Sequence, residues 1–292
     1  MTAIVSDPVV TDRVDALGEP SIRLSHVDVE FLVPGTDEIN HAVSDFTLEV
    51  RRGEFVVLVG RSGCGKTTVL NLLAGLVQKT RGEIEVMGLG PVAARSHIAY
   101  MFARDALLPW RTARRNVEFA LELRRPEIKR KERRRRAGEA LDSLGLQRAH
   151  QLWPWQLSQG MRQRVALART WVIEPDVVLM DEPFAALDAQ TRIGAQQIFL
   201  ETWSHNRKTV IFVTHDLEEA ILLGDRVIVM HSGRMVDDVP IDVPRPRNPL
   251  ELVELPIYRP LHHRLVHALT TGTAAHPADA ESHPEALDKE TA

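Results

Sequence analysis

A glycine-rich segment at residues 60–67 carries residue types that suit phosphate binding. Its letters, GRSGCGKT, fit the pattern G-x-x-x-x-G-K-[ST] at every fixed position. Gly63 and Gly65 allow the backbone to approach a phosphate closely, and the N–H groups of the loop point inward as a nest for an anion. Lys66 can reach the outer phosphates, and the Thr67 hydroxyl can ligate Mg²⁺. The segment predicts a phosphate-binding loop; the alternative is a glycine-rich turn with a chance lysine.

Two later apolar runs end in polar side chains that suit the same chemistry. The run at 177–180 leads into Asp181 and Glu182, and the run at 209–213 leads into Thr214 and His215. Ligands bind at the carboxyl ends of the strands in open parallel sheets, so we expect these side chains to lie near the loop. Asp181 can hold Mg²⁺ through water, Glu182 can act as a general base on the attacking water, and His215 can contact the γ-phosphate. Taken alone, an Asp-Glu pair is often only the end of a strand.

The elements that would position these side chains follow from the apolar pattern. Residues 55–59 form an apolar run that enters the loop as a buried strand, and residues 68–76 follow as a helix. Strand, glycine-rich turn and helix form the context that the loop requires. Ahead of them, apolar residues alternate at 22–31 and again at 46–50, which predicts antiparallel strands. Phe31 ends the first alternation, either as a core aromatic or as a ring stacked on a nucleotide base.

A second possible anion site lies in residues 157–164, LSQGMRQR. Ser158 is a good N-cap for the helix that follows, which we expect to end near Pro175. A helix N-terminus that carries a serine and a glycine favours an anion. Ordinary helix capping explains the same residues.

The composition argues against several classes of protein. The chain of 292 residues has a formal net charge of −4, so it lacks the basic balance typical of nucleic-acid-binding domains. Its longest apolar runs are shorter than the roughly 18 residues that span a bilayer. Cys64 is the only cysteine, which excludes an internal disulfide and fits a reducing cytosol. The Arg- and Lys-rich run at 124–136 is interpreted as a solvated helix face rather than a lipid or nucleic-acid patch.

Taken together, the motifs resemble those of ABC transporter ATPase subunits. They are GRSGCGKT at 60–67, LSQGM at 157–161, VVLMDEP at 177–183, the Ala186-Leu187-Asp188 loop and His215. The resemblance covers about residues 21–240. Within the superfamily, LLPWRT at 107–112 and MDEPFAALDAQTR at 180–192 resemble the nitrate, sulfonate and taurine importer subfamily.

The resemblance implies an α/β P-loop NTPase fold of the ABC ATPase type. Such a fold has a RecA-like core sheet, an N-terminal antiparallel β subdomain and an inserted α-helical subdomain. We expect the ATPase domain at 21–240, with the helical subdomain at about 104–172. A flexible leader at 1–20, a C-terminal extension at 241–269 and a disordered tail at 270–292 complete the expected organisation.

The resemblance also implies roles for individual residues. The implied catalytic residues are Glu182 as the base, His215 as the γ-phosphate switch and Lys66, and the implied Mg²⁺ ligands are Thr67 and Asp181. The residues implied to contact ATP are Phe31, Gly60, Arg61, Ser62, Gly63, Cys64, Gly65, Lys66, Thr67, Thr68, Ser158, Gly160 and Asp188.

Partners follow from the same resemblance. Two copies would sandwich two ATP molecules head to tail, so that each loop faces the Ser158 motif of the other copy, while Asp188 acts across the dimer. The pair would sit on the cytoplasmic face of the membrane against a transmembrane permease subunit, with residues 107–110 helping to form the cleft that receives it. A periplasmic or lipoprotein solute receptor would act indirectly, and we expect no nucleic-acid partner.

Two positions depart from the family pattern. Ala103 stands where the family has a glutamine that touches Mg²⁺ and the attacking water, and Gln159 replaces the first glycine of the signature pair. An alternative function is therefore a nonhydrolytic nucleotide-sensing module that regulates a partner, although Glu182 argues against it. A soluble ABC ATPase of nucleic-acid repair or translation is a further alternative. That class usually has two cassettes or a long coiled coil, and this sequence shows neither.

Overall fold

The computed structural model describes residues 20–32 and 35–273 as two β-sheets with helices packed around them. The strands are β1 (Ile22–Leu32), β2 (Ile39–Val50), β3 (Phe55–Gly60), β4 (Arg81–Val86), β5 (Ile98–Met101), β6 (Val177–Asp181), β7 (Thr209–Thr214), β8 (Arg226–His231) and β9 (Arg234–Pro240). The helices are α1 (Lys66–Leu73), α2 (Ala113–Arg124), α3 (Arg130–Ser143), α4 (Gln159–Trp171), α5 (Ala189–His205), α6 (Leu217–Leu223), α7 (Pro249–Leu252) and α8 (Tyr258–Thr271).

The central sheet has six strands in the order β5-β6-β7-β3-β8-β9. The first five are mutually parallel, and β9 pairs with β8 in the antiparallel direction. All residues of β3 and β7 are buried, as expected for strands covered on both faces, and this burial explains their unbroken apolar sequences. Since β3, β6 and β7 are parallel neighbours, their carboxyl ends meet at one edge of the sheet.

The N-terminal sheet is antiparallel, in the order β2-β1-β4. Alternate residues of β1 and β2 turn inward, so that Ile22, Leu24, Phe46 and Leu48 pack in one cluster with Leu70 and its neighbours on α1. An antiparallel sheet beside a mainly parallel one confirms the predicted fold class.

Helices α2, α3 and α4 pack on one another between β5 and β6 in the chain, inside the span predicted as a helical subdomain. Thr112 caps α2 and accepts a hydrogen bond from the Arg115 N–H. On α3, Arg135 pairs with Glu132 and Glu139, so part of the basic run belongs to ion pairs on an exposed helix surface.

Helix α1 differs from its predicted span. It begins at Lys66 and ends at Leu73 rather than covering 68–76, and Leu76 is 58% exposed instead of packing in the core. The cause is Gly75, whose φ of +66° follows the last helical turn as in a glycine C-terminal cap. Helix α4 likewise ends at Trp171, ahead of the predicted end near Pro175.

Residues 241–269, predicted as a C-terminal extension, include most of α8, which packs against α6, β8 and β9. Arg247 is buried and donates hydrogen bonds of 2.6–3.3 Å to five backbone carbonyls. They belong to Ile221, Leu222, Gly224, Ile241 and Val243, and the first three lie at the C-terminal end of α6. Burial lowers the pKa of Arg247 to about 9.

Helix α8 runs to Thr271 and closes at Gly272, whose φ is +69°. Residues 270–271, predicted as the start of a disordered tail, are therefore helical. The rest of that tail, 274–292, and the predicted leader at 1–19 lie outside the described residues. Among the described residues, no helix combines the length and apolarity needed to cross a bilayer.

Candidate nucleotide site

The glycine-rich loop leaves β3 at Gly60 and enters α1 at Lys66. Gly63 and Gly65 have φ values of +81° and +101°, which side chains strongly disfavour. A Cβ on Gly65 would also lie 2.3 Å from the carbonyl oxygen of Ala42. Glycine is therefore required at residue 65 both by its backbone angles and by the close approach of β2.

The ammonium group of Lys66 is folded over the loop. Its Nζ donates to the carbonyl oxygens of Gly60 at 2.7 Å and Arg61 at 3.0 Å, and the side chain is buried. A phosphate oxygen would be a stronger, charge-assisted acceptor for the same donor. The lysine is thus held at the loop by neutral acceptors that an anionic ligand can replace.

A cavity of about 280 Å³ opens above this loop. It is lined by Phe31, Asn40, Ala42, Ser62, Gly63, Gly65, Lys66, Thr67, Thr68 and Glu182. Phe31 is 42% exposed at the end of β1, so the interpretation of its ring as a core aromatic is wrong. The ring forms part of the cavity wall, and its contact with a base stays a prediction.

A larger groove of about 610 Å³ lies beside α3 among charged side chains such as Lys131, Arg134 and Glu139. It has neither a glycine loop nor the carboxyl end of a parallel strand in its wall. Size alone therefore does not locate the site, and the chemistry of the lining favours the smaller cavity.

Thr67 and Asp181 meet beside the cavity. The Thr67 Oγ1 donates to Oδ1 of Asp181 over 3.2 Å, which joins the first turn of α1 to the end of β6. Burial raises the pKa of Asp181, and neighbouring Glu182 raises it further, whereas the Thr67 hydrogen bond and Lys66 lower it. A nearby cation would favour the charged form.

These two residues fit Mg²⁺, a cation that takes oxygen ligands and keeps several waters beside a nucleotide. Among the described residues, no cluster of three or more His, Cys, Asp or Glu side chains is suited to hold a metal ion. A hydroxyl and one carboxylate could thus hold the cation, with phosphate and water oxygens to complete the ligand set.

Glu182 and His215 form a second pair at the same sheet edge. His215 Nδ1 lies 3.2 Å from Oε2 of Glu182. Glu182 has a φ of +44°, and its N–H donates to the carbonyl of Val213 at 3.0 Å. A glutamate in the left-handed region is strained by about 1–3 kcal/mol, and such strain is concentrated at functional sites.

The thiol of Cys64 does not face the cavity. Cys64 is only 6% exposed and packs in the cluster of the N-terminal sheet, with Sγ 2.4 Å from the position that a Cβ on Gly60 would occupy. The loop turns the thiol inward, so only the backbone of Cys64 is available to an anion, and the contact of this residue with ATP stays a prediction. Gly60 and Arg61 are likewise absent from the cavity wall and instead supply the carbonyls that hold Lys66.

Ser158, Gly160 and Asp188 are not brought to the cavity within one chain. Ser158 caps α4 by accepting from the Met161 N–H, and Asp188 caps α5 by accepting from the Thr191 N–H. The hydrogen bonds from Thr191 lower the pKa of Asp188. Gly160 lies against Thr191, so the two helix N-termini are neighbours on a separate surface.

The segment after Ala103 is held by α4. Arg162 pairs with the Asp105 carboxylate at 2.9 Å, and Arg169 donates to the carbonyls of Asp105 and Ala106. Asp105 is thereby engaged away from the position that the family glutamine would occupy. Helix α4 also contacts the Glu182 turn, since the Gln163 side chain donates to the Pro183 carbonyl.

Sequence reasoning missed several residues that build the site. Asn40 and Ala42 of β2 line the cavity, and Arg162 and Gln163 position two of its loops. The glycine at residue 65 signals that something approaches closely, but nothing in the sequence identifies β2 as the neighbour.

Comparisons with known proteins identify the family of this chain. The family described as ABC transporter matches residues 43–185. An uncharacterized ABC transporter ATP-binding protein, MJ0412 of Methanocaldococcus jannaschii, is 46% identical over 212 residues, covering 71% of this chain and 78% of the relative. Nitrate import ATP-binding protein NrtC of Synechococcus elongatus is 39% identical over 251 residues, 85% of this chain. This chain spans only 38% of the length of NrtC.

A solved structure supports the assignment at the level of the fold. The dimeric structure of a post-hydrolysis state of the ATP-binding cassette MJ0796, bound to ADP and Pi, superposes with a TM-score of 0.69 at 32% identity. The match covers 76% of this chain and 99% of that one. This chain therefore belongs to the ATP-binding proteins of the ABC transporter family, which are ATPases.

Proposed function

We propose that this chain is the ATP-hydrolysing subunit of an ABC importer for a small solute of the nitrate, sulfonate or taurine type. The observation that carries the proposal is the edge where β3, β6 and β7 end. There the phosphate-type loop, Thr67 and Glu182 line one cavity. Asp181 lies beside Thr67, and His215 lies beside Glu182. Phosphoryl transfer to water requires groups that bind the phosphates, oxygen ligands for a metal ion, a base for the attacking water and a contact to the γ-phosphate.

Each side chain has one task in this proposal. The loop N–H groups and Lys66 bind the phosphates, and Thr67 and Asp181 hold Mg²⁺, which neutralises charge that develops on the phosphate oxygens. Glu182 accepts a proton from the attacking water. His215, held beside Glu182, donates to the γ-phosphate and so orients it toward that water.

A second copy of the chain completes the site in the proposal. Ser158 and Asp188 lie outside the cavity of their own chain, at neighbouring helix N-termini that favour an anion. A head-to-tail pair would place each Ser158 against the partner's ATP. The dimeric MJ0796 structure supports this arrangement for the present chain.

The proposed permease contact lies at residues 107–110, on the cytoplasmic face of the membrane. Trp110 is 68% exposed, while the buried Asn116 fixes the backbone of this loop through hydrogen bonds with Leu108 and Arg111. A rigid loop that presents an exposed aromatic ring suits a protein contact. The solute receptor would act on the permease, and relatives named for nitrate and bicarbonate import support a small anion as the solute.

ATP turnover by the purified chain, alone and with a co-purified permease, tests the proposal. We expect Mg²⁺-dependent release of phosphate that rises when the permease is present. Ala103 supports the second candidate, a nucleotide-binding regulator without hydrolysis. Tight ATP binding with no turnover in either sample would favour that candidate and overturn the proposal.

A further inference from the structure

The turn that carries His215 is fixed from both sides by its own neighbours. Thr214 Oγ1 donates to Glu219 at 2.7 Å and accepts from the Asp216 N–H at 3.0 Å. Asp216 caps α6 by accepting from the N–H groups of Glu218 and Glu219. His215 itself is exposed, so its position depends on the backbone of this turn rather than on packing of its ring.

Helix α5 contacts this turn at two places one helical turn apart. Arg192 donates to Oδ2 of Asp216 at 3.1 Å, and Gln196 donates to Oε1 of Glu219 at 3.0 Å. Gln196 and Glu219 are each 4% exposed. Burial raises the pKa of Glu219, while its bonds to Thr214 and Gln196 lower it. The His215 turn is thus attached to α5 by a buried contact and by a half-buried ion pair.

Arg192 reaches in the other direction as well. Its second terminal nitrogen donates to the carbonyl of Leu187 at 3.2 Å, immediately before Asp188, the N-cap of α5. One guanidinium therefore joins the segment that ends at Asp188 to the segment that carries His215. Planar arginine can hold two acceptors in a fixed relation, which lysine cannot do.

We propose that Arg192 is a positioning residue that couples Asp188 to His215. The inference rests on the proposed function, in which Asp188 meets the second copy and His215 meets the γ-phosphate. Displacement of the Leu187–Asp188 segment by the partner moves the Arg192 fork and, through Asp216, the His215 turn. Arg192 does not line the nucleotide cavity, so it acts only through these two segments.

A double-mutant cycle on MgATP turnover tests this role. Arg192→Gln should lower kcat about tenfold, since a small misplacement of a catalytic group has effects of that size or larger. KM for MgATP should stay within about twofold because the phosphate loop is untouched. Arg192→Lys keeps the charge but reaches one acceptor at a time, so its kcat should lie between those of wild type and Arg192→Gln.

The decisive readout is non-additivity with His215→Ala. The Arg192→Gln/His215→Ala double variant should turn over no more slowly than His215→Ala alone, because Arg192 acts through His215. Arg264→Gln is the matched control, since Arg264 pairs with Asp237 away from this turn, and it should leave kcat unchanged.

Losses that multiply in the double variant, or an Arg192→Gln enzyme with wild-type kcat, would overturn the inference while leaving the proposed function intact. Absence of turnover in the wild-type chain would instead contradict the proposed function. Thermal unfolding of Arg192→Gln and Arg192→Lys, recorded alongside, separates mispositioning from loss of folded protein.

Discussion

Glu182 occupies a backbone conformation that costs energy, and its neighbours hold it there. The φ of +44° aims the carboxylate toward the cavity, and the bond from its N–H to Val213 fixes the turn. Glu174 has a similar φ of +53° but is exposed on the surface. A positive φ alone therefore does not mark a functional residue. Glu182 differs from Glu174 because it lines the cavity and lies beside His215.

Replacing Glu182 with glutamine should lower ATP turnover by about 10²–10⁴, the usual contribution of a positioned general base. ATP affinity should stay close to wild type, because the amide keeps the shape of the side chain and removes only its basicity. Phosphate release and fluorescent-nucleotide titration measure the two effects. Glu174→Gln is the control, and turnover of Glu182→Gln near the wild-type rate would show that another group is the base.

Ala103 gives a second prediction for a single residue. Asp105 is engaged by Arg162 and Arg104 carries the wrong charge for Mg²⁺, so we expect a water to occupy the place of the missing amide. Ala103→Gln should supply a direct oxygen ligand and raise basal hydrolysis modestly, while Ala103→Gly should change it little. Steady-state turnover without the permease measures both variants. Equal rates for wild type and Ala103→Gln would argue against the water.

At the scale of elements, the two glycines of the loop form a matched pair. Gly63 and Gly65 both have positive φ, but a Cβ on Gly63 meets no atom within 4 Å, whereas one on Gly65 meets Ala42 of β2. Gly63→Ala should therefore lower the free energy of unfolding by only about 1–2 kcal/mol, because only the backbone is strained. Gly65→Ala should lower the free energy of unfolding by more than this, because β2 and the loop must move apart. The same movement should weaken ATP binding.

Chemical denaturation measures the two stabilities, and nucleotide titration measures the affinities. Equal destabilisation by the two alanine substitutions would mean that the close approach of β2 to the loop does not affect stability. A larger loss for Gly65→Ala would establish β2 as part of the phosphate-binding structure.

Much of the element pattern could be predicted because it is local in the sequence. Apolar runs predicted β3, β6 and β7. The polar residues at their ends predicted that Asp181, Glu182 and His215 meet at one sheet edge, where Glu182 and His215 indeed lie together. Contacts between distant segments could not be predicted in this way. The inward turn of Cys64, the early end of α1 and the Arg192–Asp216 pair each depend on which element lies next to another in space.

At the scale of the whole molecule, the separation of Ser158 from the nucleotide cavity predicts an ATP-dependent dimer. Glu182→Gln with MgATP should migrate as a dimer and revert to a monomer when EDTA is added. The double variant Glu182→Gln/Ser158→Arg should stay monomeric, because a bulky cation replaces the cap that we propose to face the partner's ATP. Light scattering after size-exclusion chromatography measures the mass. Ser143→Arg, on the exposed end of α3, is the control, and a dimer that survives Ser158→Arg would contradict the head-to-tail arrangement.

Arg247 has a consequence for the order in which the molecule can be completed during translation. Synthesis proceeds from the N-terminus at roughly 5–20 residues per second, so the His215 turn and α6 leave the ribosome a few seconds before Arg247 does. Until then, the carbonyls of Ile221, Leu222 and Gly224 lack the donor that satisfies them in the finished protein. The helix behind His215 can thus gain this donor only after the segment beyond β9 has been made.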